Sequence, residues 1–173
     1  MDAARITLDS DSVDRVLCES GFMLMPDPAA ALRESRRVLR TGGRLAFSVW
    51  GPAERNPWDT IADDLLVDLG HLPPPRRDTL GTRMAYEQYT RAVLHEAGFG
   101  PVHSAEVAVQ FSFTDLDEWQ RWFIDTNSTG HAIRALSVEE HDTFLTRLAS
   151  AFAPYRTARG YQLPGVALCA AAT

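Results

Sequence analysis

Short apolar runs alternate with amphipathic stretches over the first seventy residues. Val13 to Cys18 is a compact apolar run, suited to a buried parallel strand. Asp27-Pro28 follows, an N-cap residue and then proline at the first helical position. A helix over residues 28–40 would put Ala31, Leu32, Ser35, Val38 and Leu39 on one stripe. Its other face would carry Arg33, Glu34, Arg36, Arg37 and Arg40, and the late arginines suit the helix dipole. Thr41-Gly42-Gly43 is expected to stop it, because glycine enters the left-handed conformation cheaply. Arg44 to Trp50 (RLAFSVW) reads as the next buried strand. Asn56-Pro57 opens a second helix, with Trp58, Ile61, Ala62, Leu65, Leu66 and Leu69 on one side.

The proline-rich stretch Gly70 to Arg77 (GHLPPPRR) cannot continue that helix. It is expected to loop over an active-site face or to join two halves of one domain. Residues 85–97 then read as a helix closed by Gly98. Val107, Val109, Phe111 and Phe113 alternate with Glu106, Ala108, Gln110 and Ser112, which predicts a strand with one buried face. Thr114 to Asp117 resembles a capping box before a helix carrying Leu116, Trp119, Trp122 and Phe123. Ser137-Val138-Glu139-Glu140 fits the box fully and opens a helix with Phe144, Leu145, Leu148 and Phe152. Tyr161 to Ala171 reads as a closing strand. The strand–helix alternation alone implies a parallel α/β sheet, within one domain organised as residues 1–70, a loop over 71–84 and a remainder over 85–173.

Composition narrows the function classes. The 173 residues carry a net charge of -6, which argues against nucleic acid as a main partner. No run of about 18 apolar residues predicts a membrane span, and Met1 to Arg5 lacks a signal-peptide layout. A cytoplasmic location is expected. Cys18 and Cys169 sit in separate apolar runs and read as two buried thiols in a reducing compartment. No metal constellation, P-loop or G-x-S-x-G is present in the sequence.

Several motifs occur together in one order. Asp11-Ser12-Val13-Asp14-Arg15-Val16-Leu17-Cys18 resembles the entry to the fourth strand of class I S-adenosylmethionine (SAM)-dependent methyltransferases. Pro26-Asp27-Pro28, followed by residues 33–45 (RESRRVLRTGGRL), is similar to that family's "P-D-…-E-x-x-R-V-L-R-P-G-G-R-L" pattern, with Thr41 in place of the usual proline. His95 to Phe99 resembles the "A-G-F" turn before its sixth strand. The set is most similar to the ubiquinone/menaquinone-biosynthesis type acting on small organic metabolites. The resemblance implies the C-terminal half of a Rossmann-like methyltransferase sheet, mixed because its last strand is antiparallel, with helices on its faces. It implies SAM as cofactor.

Site residues follow from the same resemblance and from the rule that ligands sit beyond the carboxyl ends of parallel strands. Met1 to Leu8 resembles the segment after the family's third strand, which places Asp2 and Ala3 beside the adenine. Glu19, Ser20 and Gly21 would line the methionine end of SAM. Trp50, Trp58 and His71 would face the acceptor, although each has an ordinary packing or solvated alternative. No catalytic residue stands out. His71 is the best placed of the histidines, ahead of His95, His103, His131 and His141. Trp119, Trp122 and Phe123 read as packing, or as one wall of an apolar acceptor pocket.

The family's E/D-x-G-x-G-x-G loop is not among these residues. Its glycines let backbone approach the ligand, so the chain alone is expected to bind SAM weakly or not at all. The strand over 13–18 would be left as an edge. A homodimer, a separate N-terminal half, or a fold-back of residues 5–9 could cover it, and the homodimer is favoured because it needs no further chain. The alternative to an enzyme component is a non-catalytic dimeric or small-molecule-binding module derived from the same fold.

Overall fold

In the computed structural model, which describes residues 2–76 and 79–173, the chain divides into two compact units that do not follow chain order. The first comprises residues 1–52, 76–108 and 166–173, and the second comprises 53–75 and 109–165. Arg77 and Asp78 of the proline-rich loop, and Met1, lie outside the described residues.

The first unit begins with β1 (Val13–Glu19), α1 (Pro28–Val38) and β2 (Leu39–Trp50). β1 and β2 pair in parallel, as the alternation of short apolar runs with a helix between them predicts. α3 (Leu80–Arg83) and α4 (Glu87–Glu96) precede β3 (Val102–Phe113), and β5 (Gly160–Ala172) returns antiparallel to β2. The sheet order is β1-β2-β5-β3. Residues 109–113 of β3 and 160–165 of β5 are counted with the second unit. The sheet is therefore mixed, as expected. One of its faces is the core: Leu45, Phe47 and Val49 of β2 and Leu168, Ala170 and Ala172 of β5 pack with Leu32 of α1 and Leu94 of α4. Leu32, Leu45 and Leu94 are fully buried, each contributing about 1.5–3 kcal/mol of transfer free energy.

The junction between α1 and β2 differs from the sequence expectation. Asp27 caps the helix as predicted, accepting from the Ala30 N–H at 2.9 Å. The helix ends at Val38 rather than Arg40, because Leu39 already has extended backbone and pairs with Val13. Gly42 and Gly43 lie inside the strand. The register moves from Val13↔Leu39 to Arg15↔Arg44, two steps on β1 against five on β2. The extra residues bulge outward through Gly42 at φ 77°, and a Cβ on Gly43 would meet the Arg40 carbonyl at 2.9 Å. The glycines thus shape a bulge instead of stopping a helix.

Residues 5–9 do not fold back as an edge strand. They are tied to α1 by Arg37, which donates to the Ile6 carbonyl at 2.8 Å and the Leu8 carbonyl at 2.9 Å. Glu34 holds the guanidinium with two bonds of 2.8 Å and also accepts the Ile6 N–H at 2.9 Å. The Arg37 hydrogen bond holds the Glu34 carboxyl below its ordinary range. Among the described residues β1 pairs only with β2, so it stands at the sheet edge.

The second unit contains α2 (Pro57–Asp68), α5 (Leu116–Thr126), α6 (Gly130–Arg134), α7 (Val138–Phe152) and the two-residue β4 (Arg156–Thr157), which pairs with the start of β5. Leu66, Trp119, Phe123, Phe144, Leu148 and Phe152 are fully buried there. Trp119 stacks on Phe123 one turn later at 4.7 Å and meets the edge of Phe152 at 5.4 Å. Ser137 and Glu140 form the predicted capping box of α7. At α5 the cap falls one residue later than expected and no reciprocal box forms. Asp115 is the N-cap, accepting from the Glu118 N–H at 2.8 Å, while Glu118 reaches back to the Thr114 N–H at 2.6 Å. The alternating strand over Glu106 to Phe113 is present within β3, but its apolar face is only partly covered: Phe113 is buried and Val107 is 45% exposed.

Candidate active site

The parallel strands β1 and β2 end side by side, with Glu19 opposite Ser48. Three of the sequence-predicted residues follow at once. Ser20 has left-handed backbone at φ 49°, and its N–H donates to the Ser48 carbonyl at 3.0 Å. A non-glycine residue held there is a local cost that the surrounding pairing sustains. Gly21 is required by close approach, since a Cβ would sit 2.7 Å from the Cys18 sulfur. Across the rim, the Trp50 N–H points at the Met23 sulfur at 3.3 Å. Gly51 lies so near β5 that a Cβ would meet Val166 Cγ1 at 2.5 Å. Glu19 is exposed and free to meet a cationic group, while Ala3 packs on the same core as Cys18 and Met23. The exposed Asp2 carboxylate accepts the Ala4 N–H at 2.9 Å. The first unit therefore holds Asp2, Ala3, Glu19, Ser20, Gly21 and Trp50.

Trp58 and His71 belong to the second unit. Trp58 is buried. Its indole N–H donates to Asn56 Oδ1 at 3.0 Å, and its ring lies 4.4 Å from Phe111 and 5.8 Å from Trp122. Trp122 in turn lies 5.3 Å from both Phe111 and Phe113. Of the trio read as packing, Trp119 and Phe123 are core, whereas Trp122 is half-buried in this aromatic cluster.

His71 is 3.1 Å from Glu140, the carboxylate that completes the α7 capping box. Bonds from the Ser137 backbone and side chain, and then from His71, push the Glu140 carboxyl down to about 2. His71 thus ties the end of α2 to the start of α7. His131 lies 2.9 Å from the Ser128 carbonyl and His141 lies 2.6 Å from the Gln120 amide. His95 ends α4, and His103 is exposed on β3.

Two carboxyls raised by burial were not singled out from the sequence. Asp59 and Asp63 lie one turn apart on α2. Asp59 accepts from the Asn127 amide, and Asp63 lies 2.6 Å from the Thr129 hydroxyl. Together they clamp the turn from Asn127 to Gly130, where a Cβ on Gly130 would be 2.6 Å from Ile124 Cα. Burial first, and then the Asp63 charge, push the Asp59 carboxyl up to about 6, against the lowering bond from Asn127. Burial also raises Asp63. The available signal was an i, i+4 aspartate pair on an amphipathic helix that also carries Asp64 and Asp68. The two cysteines are free and only half-buried, a correction to their expected full burial. No cluster able to hold a metal ion occurs among the described residues.

Residues 1–47 match the family model of a methyltransferase domain. The chain is 35% identical over 108 residues to methyltransferase tpcH of Aspergillus fumigatus, covering 60% of this chain and 37% of that protein. It spans about a third of the length of the curated relatives it matches. A solved structure from Bacillus halodurans, named provisionally as a methyltransferase, aligns with a TM-score of 0.51 at 19% identity, over 99% of this chain and 68% of that one. A second from Anabaena variabilis, named provisionally as a methyltransferase of an antibiotic-biosynthesis pathway, aligns at 0.56 and 10% identity, over 96% and 70%. The parallel β1–β2 pair, the antiparallel β5 and the flanking helices thus make up a methyltransferase-type α/β fold.

Proposed function

We propose that this chain forms the acceptor-side portion of a SAM-dependent methyltransferase acting on a small organic metabolite. The observation that carries this reading is the rim at the carboxyl ends of β1 and β2, where Glu19, Ser20, Gly21 and Trp50 converge on a methyltransferase-type sheet. The residues present fit one side of the cofactor only. Glu19 offers a carboxylate for an ammonium group, and Asp2 with Ala3 offers a polar–apolar edge. The glycine run that would let backbone N–H groups reach the ligand is not among the 173 residues. SAM would supply an electrophilic methyl group, and the work left to the protein is largely alignment. Trp50, at the rim of the first unit, supplies an apolar surface of the kind an organic acceptor needs. The net charge and the absence of a long apolar helix among the described residues are compatible with a small-molecule substrate met in water.

A non-catalytic binding module is the competing reading, favoured by the same lack of a glycine loop. Calorimetry separates the two. SAM titrated into this chain should give no binding tighter than about 1 mM. When the chain is completed by a segment bearing the loop, SAM should bind and a panel of small hydroxyl and amine acceptors should accept labelled methyl. Micromolar SAM binding by the chain alone would reject the partial-site reading. A completed protein that binds no SAM would reject the enzyme reading.

A further inference from the structure

Within the second unit, the junction between α2 and the turn after α5 sets more oxygens against one another than it has hydrogens to place between them. The Thr129 N–H donates to Asn127 Oδ1 at 3.0 Å, so the amide oxygen faces Thr129 and the amide NH2 group faces Asp59, to which it donates. The Thr129 hydroxyl stands 2.8 Å from that amide oxygen and 2.6 Å from Asp63 Oδ1. Both are hydrogen-bond distances. A hydroxyl carries a single hydrogen, so with both carboxylates ionised it serves only one of these two oxygens. The other contact is then oxygen against oxygen. A proton on Asp63 removes the conflict: Asp63 donates to Thr129 Oγ1, and Thr129 Oγ1 donates to Asn127 Oδ1. Each contact then has its own hydrogen.

The surroundings favour that proton. Burial is the largest effect on both carboxyls and raises both, Asp59 to about 6. The two lie one turn apart on α2, so Asp59 also feels the Asp63 charge, and Asp64 adds a like charge beside Asp63. Glu54 and Arg55 stand in the turn before α2. On the elements that meet here, other charged side chains pair with one another: Asp125 with Arg134, Asp68 with Arg147, and Glu140 with His71. His131 lies against the Ser128 carbonyl and His141 against the Gln120 amide. The backbone is a hinge at this point. Asn127 is extended, at φ -96° and ψ 140°, between the end of α5 and the start of α6. α6 follows directly and buries Ala132 and Ile133.

We propose that the junction of α2 with the Asn127–Thr129 turn is a proton-operated latch: it closes with one proton held on the Asp59/Asp63 pair, and it releases residues 127–134 when that proton leaves. Closing takes up a proton, so acid favours the closed turn, and the hold weakens as pH rises through the titration of the pair.

Amide hydrogen exchange of the whole chain, read by mass spectrometry, tests this. Protection of the 127–134 segment is measured against an unstructured peptide of the same sequence at each pH, so that intrinsic exchange cancels. It should fall about tenfold between about pH 5 and about pH 7.5. At the higher pH, low urea should leave it unchanged while lowering protection in α7, which marks the opening as local. Asp63→Asn supplies the extra hydrogen at every pH, because its amide donates to Thr129 Oγ1 as the protonated carboxyl does. Protection should then stay flat at the parent's acid level. Asp59→Asn, which removes the neighbouring charge, should reduce the fall to less than about threefold. Asp142→Asn, on the exposed side of α7, should keep the parent's fall. Circular dichroism at both pH values confirms that each variant is folded. Four results would overturn the latch: protection in the parent that ignores pH, a 127–134 segment as sensitive to urea as α7, an Asp63→Asn profile that falls like the parent's, or an Asp142→Asn profile that is flat. If Asp63→Asn does not fold, Asp59→Asn decides, and an undiminished fall there refutes the proposal.

Discussion

Asp59→Asn tests the electrostatics of the second unit most directly. Burial and the Asp63 charge raise the Asp59 carboxyl from 3.8 to about 6. Between these two values the folded chain binds more protons than the unfolded chain, so stability falls as pH rises through that window. Asp59 therefore contributes nothing unfavourable below about pH 4 and its full penalty above about pH 6. A shift of roughly two units corresponds to about 3 kcal/mol at neutral pH, and partial solvent access reduces this to about 1–2 kcal/mol. Asparagine keeps an oxygen for the Asn127 amide while removing the charge that Asp63 repels. The variant should be more stable than the parent by about 1–2 kcal/mol at pH 7.5, with the difference vanishing near pH 4. Urea melts at half-unit pH intervals measure this. Equal stability at pH 7.5, or parallel pH profiles for the two proteins, would refute the reasoning.

Gly51→Ala should cost about 1–3 kcal/mol in chemical denaturation, because its Cβ would fall 2.5 Å from Val166 Cγ1 and 3.1 Å from the Val166 carbonyl. Ser20→Gly should stabilise by up to about 1 kcal/mol in the same denaturation assay, by relieving the left-handed backbone. Arg37→Met should raise amide exchange at Ile6, where the Glu34 carboxylate is held in place by that guanidinium, and leave exchange in α7 unchanged. Phe144→Ala, emptying a fully buried ring site, should cost about 3–5 kcal/mol.

Local physics made much of the fold legible. Asp27-Pro28 and Ser137 to Glu140 carry their own stop and start chemistry, because a cap needs only residues within one turn. The apolar runs at β1, β2 and β5 were equally clear, since burial demands them wherever the strands pair. The carboxyl-end positions Glu19, Ser20, Gly21 and Trp50 followed from the strand ends, and the structure sets them at one rim of the first unit.

What the tertiary structure decided are the matters that depend on distant partners. Gly42 and Gly43 look like a helix stop in sequence, and only pairing of Leu39 with Val13 makes them a bulge. Val107 alternates like a core residue, yet no local rule supplies the layer that would cover it. Asp59 is an unremarkable carboxylate until the Asn127 turn folds onto α2 and removes its water. Sequence sets which faces are apolar, through side-chain chemistry and period. Which of those faces is buried, and which carboxyl loses its solvent, is set by contacts across sixty or more residues, and the pattern of a single segment does not contain them.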